Sequence, residues 1–329
     1  MQNLKEVRWG IIGVGDVCEV KSAPAMNRIE GSKLIAVMRR NGNMAADYAK
    51  RHGVPKWYDD ADQLINDPEV NAIYIATPPV AHADYTQQAA AAGKPVYVEK
   101  PMARTHEECQ AMIKHCETAG VPLRVAFYRR CLPNFLKVKE LVDSGVIGEV
   151  RMVNMELYQS IAPEIVSGLD NNWRVDPAIA GGGYFFDLGS HQFDYLDYLL
   201  GSVKTARGIA ANQAGMYQAE DIVTAAYQFE NGVIGSGSWC FTVGKPGVKE
   251  ETVILGSKGK IRFHFFTGSK VYLETAERSE VFNFEMPKHI QQPLIQTIVD
   301  EWRGKAGTSP STGKSAARTN WVMEEIIKH

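Results

Sequence analysis

From Val7 to about Arg124, short apolar runs alternate with longer segments whose apolar residues recur at helical spacing. VRWGIIG, KLIAVMRR, AIYIAT, PVYVEK and PLRVAF read as strands, with helical segments such as MAADYAKRHG and HADYTQQAAAAG between them. Strands that are apolar throughout are buried on both faces, so this half predicts βαβ units and a parallel sheet covered by helices on both sides. The pattern changes after a helix predicted near Leu132 to Ser144 and ended by Gly145. EVRMVNMELYQ, VKTARGIAANQ, DIVTAAYQFE, GVIGSGSWCF, ETVILGS, GKIRFHFF, KVYLET and EVFNFE follow, several alternating with period two or flanking Asn-Gly and Lys-Gly turns. They predict a largely antiparallel sheet. Two helical stretches, Ile290 to Arg303 and Thr312 to Lys328, close the chain around the turn-rich GKAGTSP. The expected architecture is α/β: a doubly wound parallel sheet in residues 1–125, then a second α/β domain in residues 126–329 on an open, mostly antiparallel sheet, the last helix free to pack back between the domains.

Composition narrows the class. A chain of 329 residues with 45% hydrophobic and 22% charged residues fits two globular cores rather than disorder. Its 36 basic and 38 acidic residues are mixed along the sequence, giving a net charge of -2 and no basic tract for nucleic acid or an anionic membrane. Small ligands are therefore expected. Met1 leads through a charged segment into VRWGIIG without an apolar leader, and no run approaches a membrane span, so a cytoplasmic protein is expected. Cys18, Cys109, Cys116, Cys131 and Cys240 are odd in number and form no CxxC pair, which argues for free thiols rather than a disulfide framework or a thiolate zinc site.

WGIIGVGDVC places Gly13, Gly15 and Cys18 in the G-x-G-x-x-[G/A] register between an apolar strand and a helical pattern. The first glycine permits a tight turn, and the second lets backbone approach a pyrophosphate. Asp16 and Val17 then open a helix whose N–H groups face the anion. Cys18 replaces the small third residue, so slightly looser helix-to-strand packing is expected. This is a dinucleotide-binding (Rossmann) turn. Cofactor choice is read at the end of the next strand, where an acidic residue would accept from the ribose 2′-OH of NAD. Here that position reads VMRRN, and the Arg39 and Arg40 guanidinium groups suit a 2′-phosphate, so NADP(H) is favoured over NAD(H).

Ligands of open parallel sheets lie outside the carboxyl ends of the strands, where Thr77, Pro78 and His82 of IATPPVAH and Glu99 and Lys100 of VYVEKPMA fall. Pro101 restricts Lys100 to an extended conformation at the strand exit. In the second half, GGGYFFDLGSHQFDYL puts Asp187, His191 and Asp194 within about 60° of one another on a helix, with Phe185, Leu188, Phe193, Leu196, Leu199 and Leu200 opposite. An amphipathic helix is predicted, its glycines bringing backbone close to substrate or cofactor.

GIIGVGDV, ATPPVAH, VEKP and GGGYFFDLGSH, in this order, make the chain resemble the glucose-fructose oxidoreductase and inositol dehydrogenase family (Gfo/Idh/MocA) over nearly its whole length. The resemblance implies an N-terminal Rossmann domain, a substrate domain that also mediates homodimer or homotetramer assembly through its sheet, and metal-free hydride transfer between nicotinamide and a sugar or polyol carbon. Carried over by position, it makes Lys100 the EKP lysine, Asp187 the substrate-domain aspartate and His191 the catalytic histidine, with Lys100 and His191 converging beside the nicotinamide.

Oxidising a secondary alcohol requires a base near neutral pKa, which His191 provides. Asp187, one helical turn earlier, can orient the imidazole, and Lys100 can stabilise alkoxide character, or exchange roles with His191. Tyr128, Arg129 and Arg130 resemble the family's substrate-side segment. Trp173 and Arg174 of NNWRVDP can stack on a sugar ring and bind its hydroxyls, or form a packed aromatic beside a surface charge. Asp194 can bond a substrate hydroxyl or solvate the helix, and His82 reads as a loop residue near the cofactor. Three other readings stand beside this one: Asp187, His191 and Asp194 as metal ligands, a redox-cycling NAD-dependent glycosidase, and a non-catalytic dinucleotide-sensing protein.

Overall fold

The computed structural model describes residues 3–161 and 172–328. They form two compact units, Met1–Tyr128 with Pro287–Ala317, and Arg129–Met286 with Arg318–His329.

The first unit holds β1 (Val7–Ile12), β2 (Ser32–Met38), β3 (Lys56–Tyr58), β4 (Ala72–Ile75), β5 (Val96–Val98) and β6 (Leu123–Val125) in the order β3-β2-β1-β4-β5-β6. Every pairing is parallel. Each side chain of β4, β5 and β6 is buried, as continuous apolar runs between two helical layers require. The strand order reverses between β1 and β4, so a crevice forms at their carboxyl ends. β3, the tripeptide KWY, is absent from the sequence prediction. It carries an exposed Trp57 and is too short to register as a period. The helix expected after the glycine turn is two short ones, Asp16–Val20 and Ala23–Met26, the second begun by Pro24.

The two units do not divide at a single point along the chain. Helix Gln292–Trp302 belongs to the first unit, because its buried face, Leu294, Ile295, Ile298, Val299 and Trp302, completes that core. Trp302 lies 5.2 Å from the Trp9 ring of β1, and Arg124 of β6 pairs with Glu301, its Nε donating at 2.8 Å. Ser311 Oγ donates to Val125 O at 2.7 Å. The next helix, Gly313–Ile327, begins in the first unit and belongs to the second from Arg318.

The second unit's sheet comprises β7 (Val150–Tyr158), β8 (Val203–Ala211), β9 (Ile222–Phe229), β10 (Ile234–Cys240), β11 (Lys249–Gly256), β12 (Gly259–Phe263), β13 (Val271–Thr275) and β14 (Ser279–Phe282). The order is β14-β13-β12-β11-β7-β10-β9-β8, antiparallel except for the β7–β10 pair. Period-two alternation buries Val153, Met155 and Leu157 of β7 on one face. Phe135 of helix Pro133–Asp143 and Phe193 of helix Ser190–Leu200 pack on that face, against Phe263 and Trp239. The opposite face carries polar cross-strand pairs, such as Ser236 to Asn154 at 2.7 Å, and exposed Ile209 and Ile234.

Candidate active site

In the first unit, Gly13 leaves β1 at φ +91°, and a Cβ there would meet Thr77 Cγ2 at 2.6 Å and Thr77 N at 3.0 Å. Only glycine fits against the end of β4. Gly15 is extended and open: a Cβ would meet nothing closer than Gly13 O at 3.9 Å, and the helix it begins has no side-chain cap. The Cys18 thiol points into the core, where burial pushes its pKa up to about 12, so it serves packing rather than thiolate chemistry. Arg39 leans onto the turn, Nη1 donating to Val14 O at 3.3 Å, while Arg40 is exposed. Asp16 is exposed and Val17 half-buried beside them.

Thr77 and Pro78 are half-buried at the β4 exit, and Thr77 Oγ1 is a buried hydroxyl without a hydrogen-bond partner among the described residues. His82, expected near the cofactor, is instead fully buried. Its Nε2 lies 2.7 Å from Thr77 O and its Nδ1 3.2 and 3.1 Å from Pro101 O and Met102 O, so it ties the β4 exit to the β5 exit. Glu99 also turns inward. Its carboxylate accepts from Tyr74 Oη at 2.5 Å, Gln291 Nε2 at 2.7 Å and the Lys100 N–H at 3.2 Å. Both side chains thus bond the protein's own groups at the strand exits. Lys100 follows, half-buried and joined to Pro101 through a cis peptide.

In the second unit, the glycine run departs from expectation. Gly181 ends the short helix Pro177–Ala180 at φ +87°. A Cβ on Gly182 would strike the Phe186 ring at 2.2 Å, and one on Gly183 would meet Ala219 Cβ and Glu220 O at 2.8 Å. These glycines admit the protein's own neighbours, and the Gly183 N–H donates to Glu220 Oε1 at 2.9 Å. Burial raises the Glu220 pKa. The chain then makes a π-helical turn, Phe185–Gly189, before helix Ser190–Leu200. Every residue of that helix except Tyr198 is buried, so its polar positions do not form a solvated face. The polar side chains are held inside by partners, as buried charges require.

Asp194 is one of them. It is 1% exposed and receives Arg130 in a bidentate pair, Nε at 2.8 Å and Nη2 at 2.6 Å. Each oxygen accepts from Arg130, and the burial overturns the solvated reading of Asp194. Among the described residues no group of three or more His, Cys, Asp and Glu is placed to hold a metal ion. Asp187 pairs with Arg174: its Oδ2 lies 3.4 Å from Arg174 Nε, and the Arg174 guanidinium sits 4.6 Å over the Trp173 ring. One face of Trp173 is therefore already covered by its neighbour. NNWRVDP begins at Asn171, outside the described residues, while Asn172 Nδ2 donates to Tyr184 Oη at 2.7 Å. Tyr128 is half-buried in a 3₁₀ turn with Arg129, which is 6% exposed and donates from Nε to Phe265 O at 3.1 Å. His191 is 4% exposed, its ring 6.1 Å from that of Phe266.

Residues 7–127 match the oxidoreductase family with an NAD-binding Rossmann fold, and residues 135–262 match the GFO/IDH/MocA C-terminal domain. The chain belongs to the Gfo/Idh/MocA family of oxidoreductases. Oxidoreductase P35 of Formosa agariphila is 38% identical over 97% of this chain and 97% of its own. The 1,5-anhydro-D-fructose reductase of Ensifer adhaerens is 29% identical over 71% of this chain and 69% of its own. Among solved structures, levoglucosan dehydrogenase in complex with NADH and levoglucosan superposes with a TM-score of 0.87 at 22% identity, covering 98% of this chain and 96% of that one. This Gfo/Idh/MocA protein is therefore an oxidoreductase with an NAD(P)-binding Rossmann domain and a separate, mostly antiparallel second sheet. None of its described helices is long and apolar enough to cross a membrane.

Proposed function

We propose that this protein is an NAD(P)-dependent dehydrogenase or reductase that moves a hydride between nicotinamide and a secondary alcohol or ketone carbon of a sugar or polyol. The observation that carries the reading is the pairing of an open glycine turn at the β1 exit with Lys100 at the β5 exit of one switch-point crevice. The residues fit a dinucleotide: Gly15 leaves space above bare backbone, and the buried Thr77 hydroxyl has no partner among the described residues. Gly13, Gly15, Asp16, Val17, Thr77 and Pro78 would hold it, with Arg39 and Arg40 at the adenosine ribose. When bound, the nicotinamide supplies the hydride acceptor or donor. Relatives named for anhydrofructose reduction and inositol oxidation support the sugar or polyol class.

The chain's own residues handle the proton. His191, deep in the second unit and oriented by Asp187, accepts it from the hydroxyl as the carbonyl forms. Arg174 steadies the Asp187 carboxylate. Lys100 donates to the same oxygen and stabilises its alkoxide character. Tyr128, Trp173 and Arg174 form the substrate side. The Arg39–Arg40 pair favours NADP(H) over NAD(H). The polar, partly apolar outer face of the second sheet is the surface through which a homodimer or homotetramer forms, read by light scattering of the purified chain. A panel of monosaccharides, polyols and keto-sugars assayed with NADP⁺ and NADPH tests the activity. Steady turnover of a free sugar or polyol is expected. Glycoside cleavage without net cofactor conversion would overturn the reading.

A further inference from the structure

Glu250 of β11 is 8% exposed, and among the described residues no cation pairs with its carboxylate. Donors from the loop between β12 and β13 surround it: the N–H groups of Phe265, Phe266 at 3.0 Å and Thr267 at 2.8 Å, and Thr267 Oγ1 at 2.6 Å. The Glu250 carbonyl oxygen adds a contact to His264 Nδ1 at 2.7 Å. A single carboxylate thus fixes three successive peptide groups, a tighter hold than a hairpin loop needs for chain reversal. The side chain between them is Phe266. The Arg129 guanidinium lies 4.6 Å over its ring while Arg129 Nε holds Phe265 O at 3.1 Å. The His191 imidazole meets the same ring at 66°, centroids 6.1 Å apart.

We propose that Phe266, clamped by Glu250 from beneath and Arg129 across its face, is a positioning residue that sets the orientation of the His191 imidazole. An aromatic pair at this inclination resists imidazole rotation, because turning the ring loses the edge-to-face contact. The Arg129 cation holds the phenyl ring against its own rotation. Arg129 thereby acts through Phe266, which accounts for a buried guanidinium beside the site. The proposal rests on the reading of His191 as the proton acceptor.

The test compares Phe266→Leu, Phe266→Tyr, Glu250→Gln and His191→Ala in the full-length protein. It reads kcat, KM, cofactor affinity and the His191 ring-proton resonances. Phe266→Leu should move the His191 resonances and lower kcat about three- to tenfold with cofactor affinity retained. Phe266→Tyr, which keeps the ring, should restore both. Glu250→Gln places an amide N–H against backbone donors and should reproduce the Phe266→Leu effect. Should Glu250→Gln fail to fold, the two Phe266 variants decide the matter. Unmoved resonances and wild-type kcat in folded Phe266→Leu would overturn the proposal. A fully active His191→Ala would overturn the catalytic reading instead, while the resonance shift would still report the packing.

Discussion

Gln291 donates from Nε2 to Glu99 Oε1 at 2.7 Å, joining two residues 192 positions apart inside the first unit. Its Oε1 accepts from Tyr97 Oη at 2.8 Å, so both ends of a fully buried amide are used. The Gln291 N–H donates to Lys21 O at 3.1 Å, and His289 Nδ1 lies 2.6 Å from Val20 O. Residues 289–291 thus tie the end of the glycine-turn helix to the carboxylate that holds the Lys100 N–H. Gln291→Leu should leave a buried carboxylate and a buried hydroxyl each one partner short. The cost is about 2–4 kcal/mol in urea denaturation, with a fall in kcat as the Lys100 strand exit loosens. Wild-type stability and turnover would show that the link is idle.

His82 yields a pH dependence whose sign follows from its burial. Desolvation lowers its pKa below the ordinary 6.5, with the Thr77, Met102 and Pro101 carbonyl oxygens pulling the other way. A depressed folded-state value means that the unfolded chain binds the proton more readily. The contribution of His82 is therefore fully present above pH 6.5 and is lost as the pH falls through the lower folded value. Urea titrations between pH 5 and 8 should show the wild type losing stability on acidification more steeply than His82→Gln. Parallel curves would contradict this.

The strands were readable where physics repeats along the chain. Continuous apolar runs gave five strands of the first sheet, and alternation or flanking turns gave the eight of the second. β3 escaped because three residues hold no period. The packing of Gln292–Trp302 on Trp9 escaped because order along the chain does not say which core an amphipathic helix completes. Asp187, His191 and Asp194 were visible as a polar cluster, but a pattern of residue types cannot distinguish a solvated face from one buried against Arg130 and Arg174. Arg130 lay next to Arg129 in the sequence, and only the fold separates their roles. The Phe266 contact and the π-helical turn carried no sequence signal, since each depends on atoms brought together by the sheet.

The buried Arg130–Asp194 pair is a stability element. Burial pushes the Asp194 carboxyl up to about 6, and the adjacent Arg130 guanidinium opposes that rise. Asp194→Ala should leave a 3% exposed guanidinium uncompensated. The expected cost is about 3–5 kcal/mol in denaturant unfolding. A loss below about 1 kcal/mol would indicate that Arg130 finds another acceptor.

Lys100 and His191 are expected to separate binding from chemistry. Lys100→Met and His191→Ala should each lower kcat by about 10²- to 10⁴-fold, the range for removing a general acid or base. Cofactor affinity should stay close to wild type for His191→Ala, because that residue lies outside the Rossmann unit. Unchanged rates in both variants would remove the catalytic assignment.

Arg39 is the last residue whose role can be measured without knowing the substrate. Its Nη1 already donates to Val14 O at 3.3 Å, a contact that aims the guanidinium along the glycine turn and leaves its other N–H groups for an anion. A charged hydrogen bond contributes about 1.5–3 kcal/mol, so Arg39→Ala should weaken NADPH binding by about 10- to 100-fold. NADH binding should change far less, since it lacks the 2′-phosphate. Fluorescence titration of both reduced cofactors separates the outcomes. Equal losses for the two would mean that Arg39 serves the glycine turn rather than the ribose, and tighter NADH than NADPH binding by the wild type would reverse the cofactor assignment.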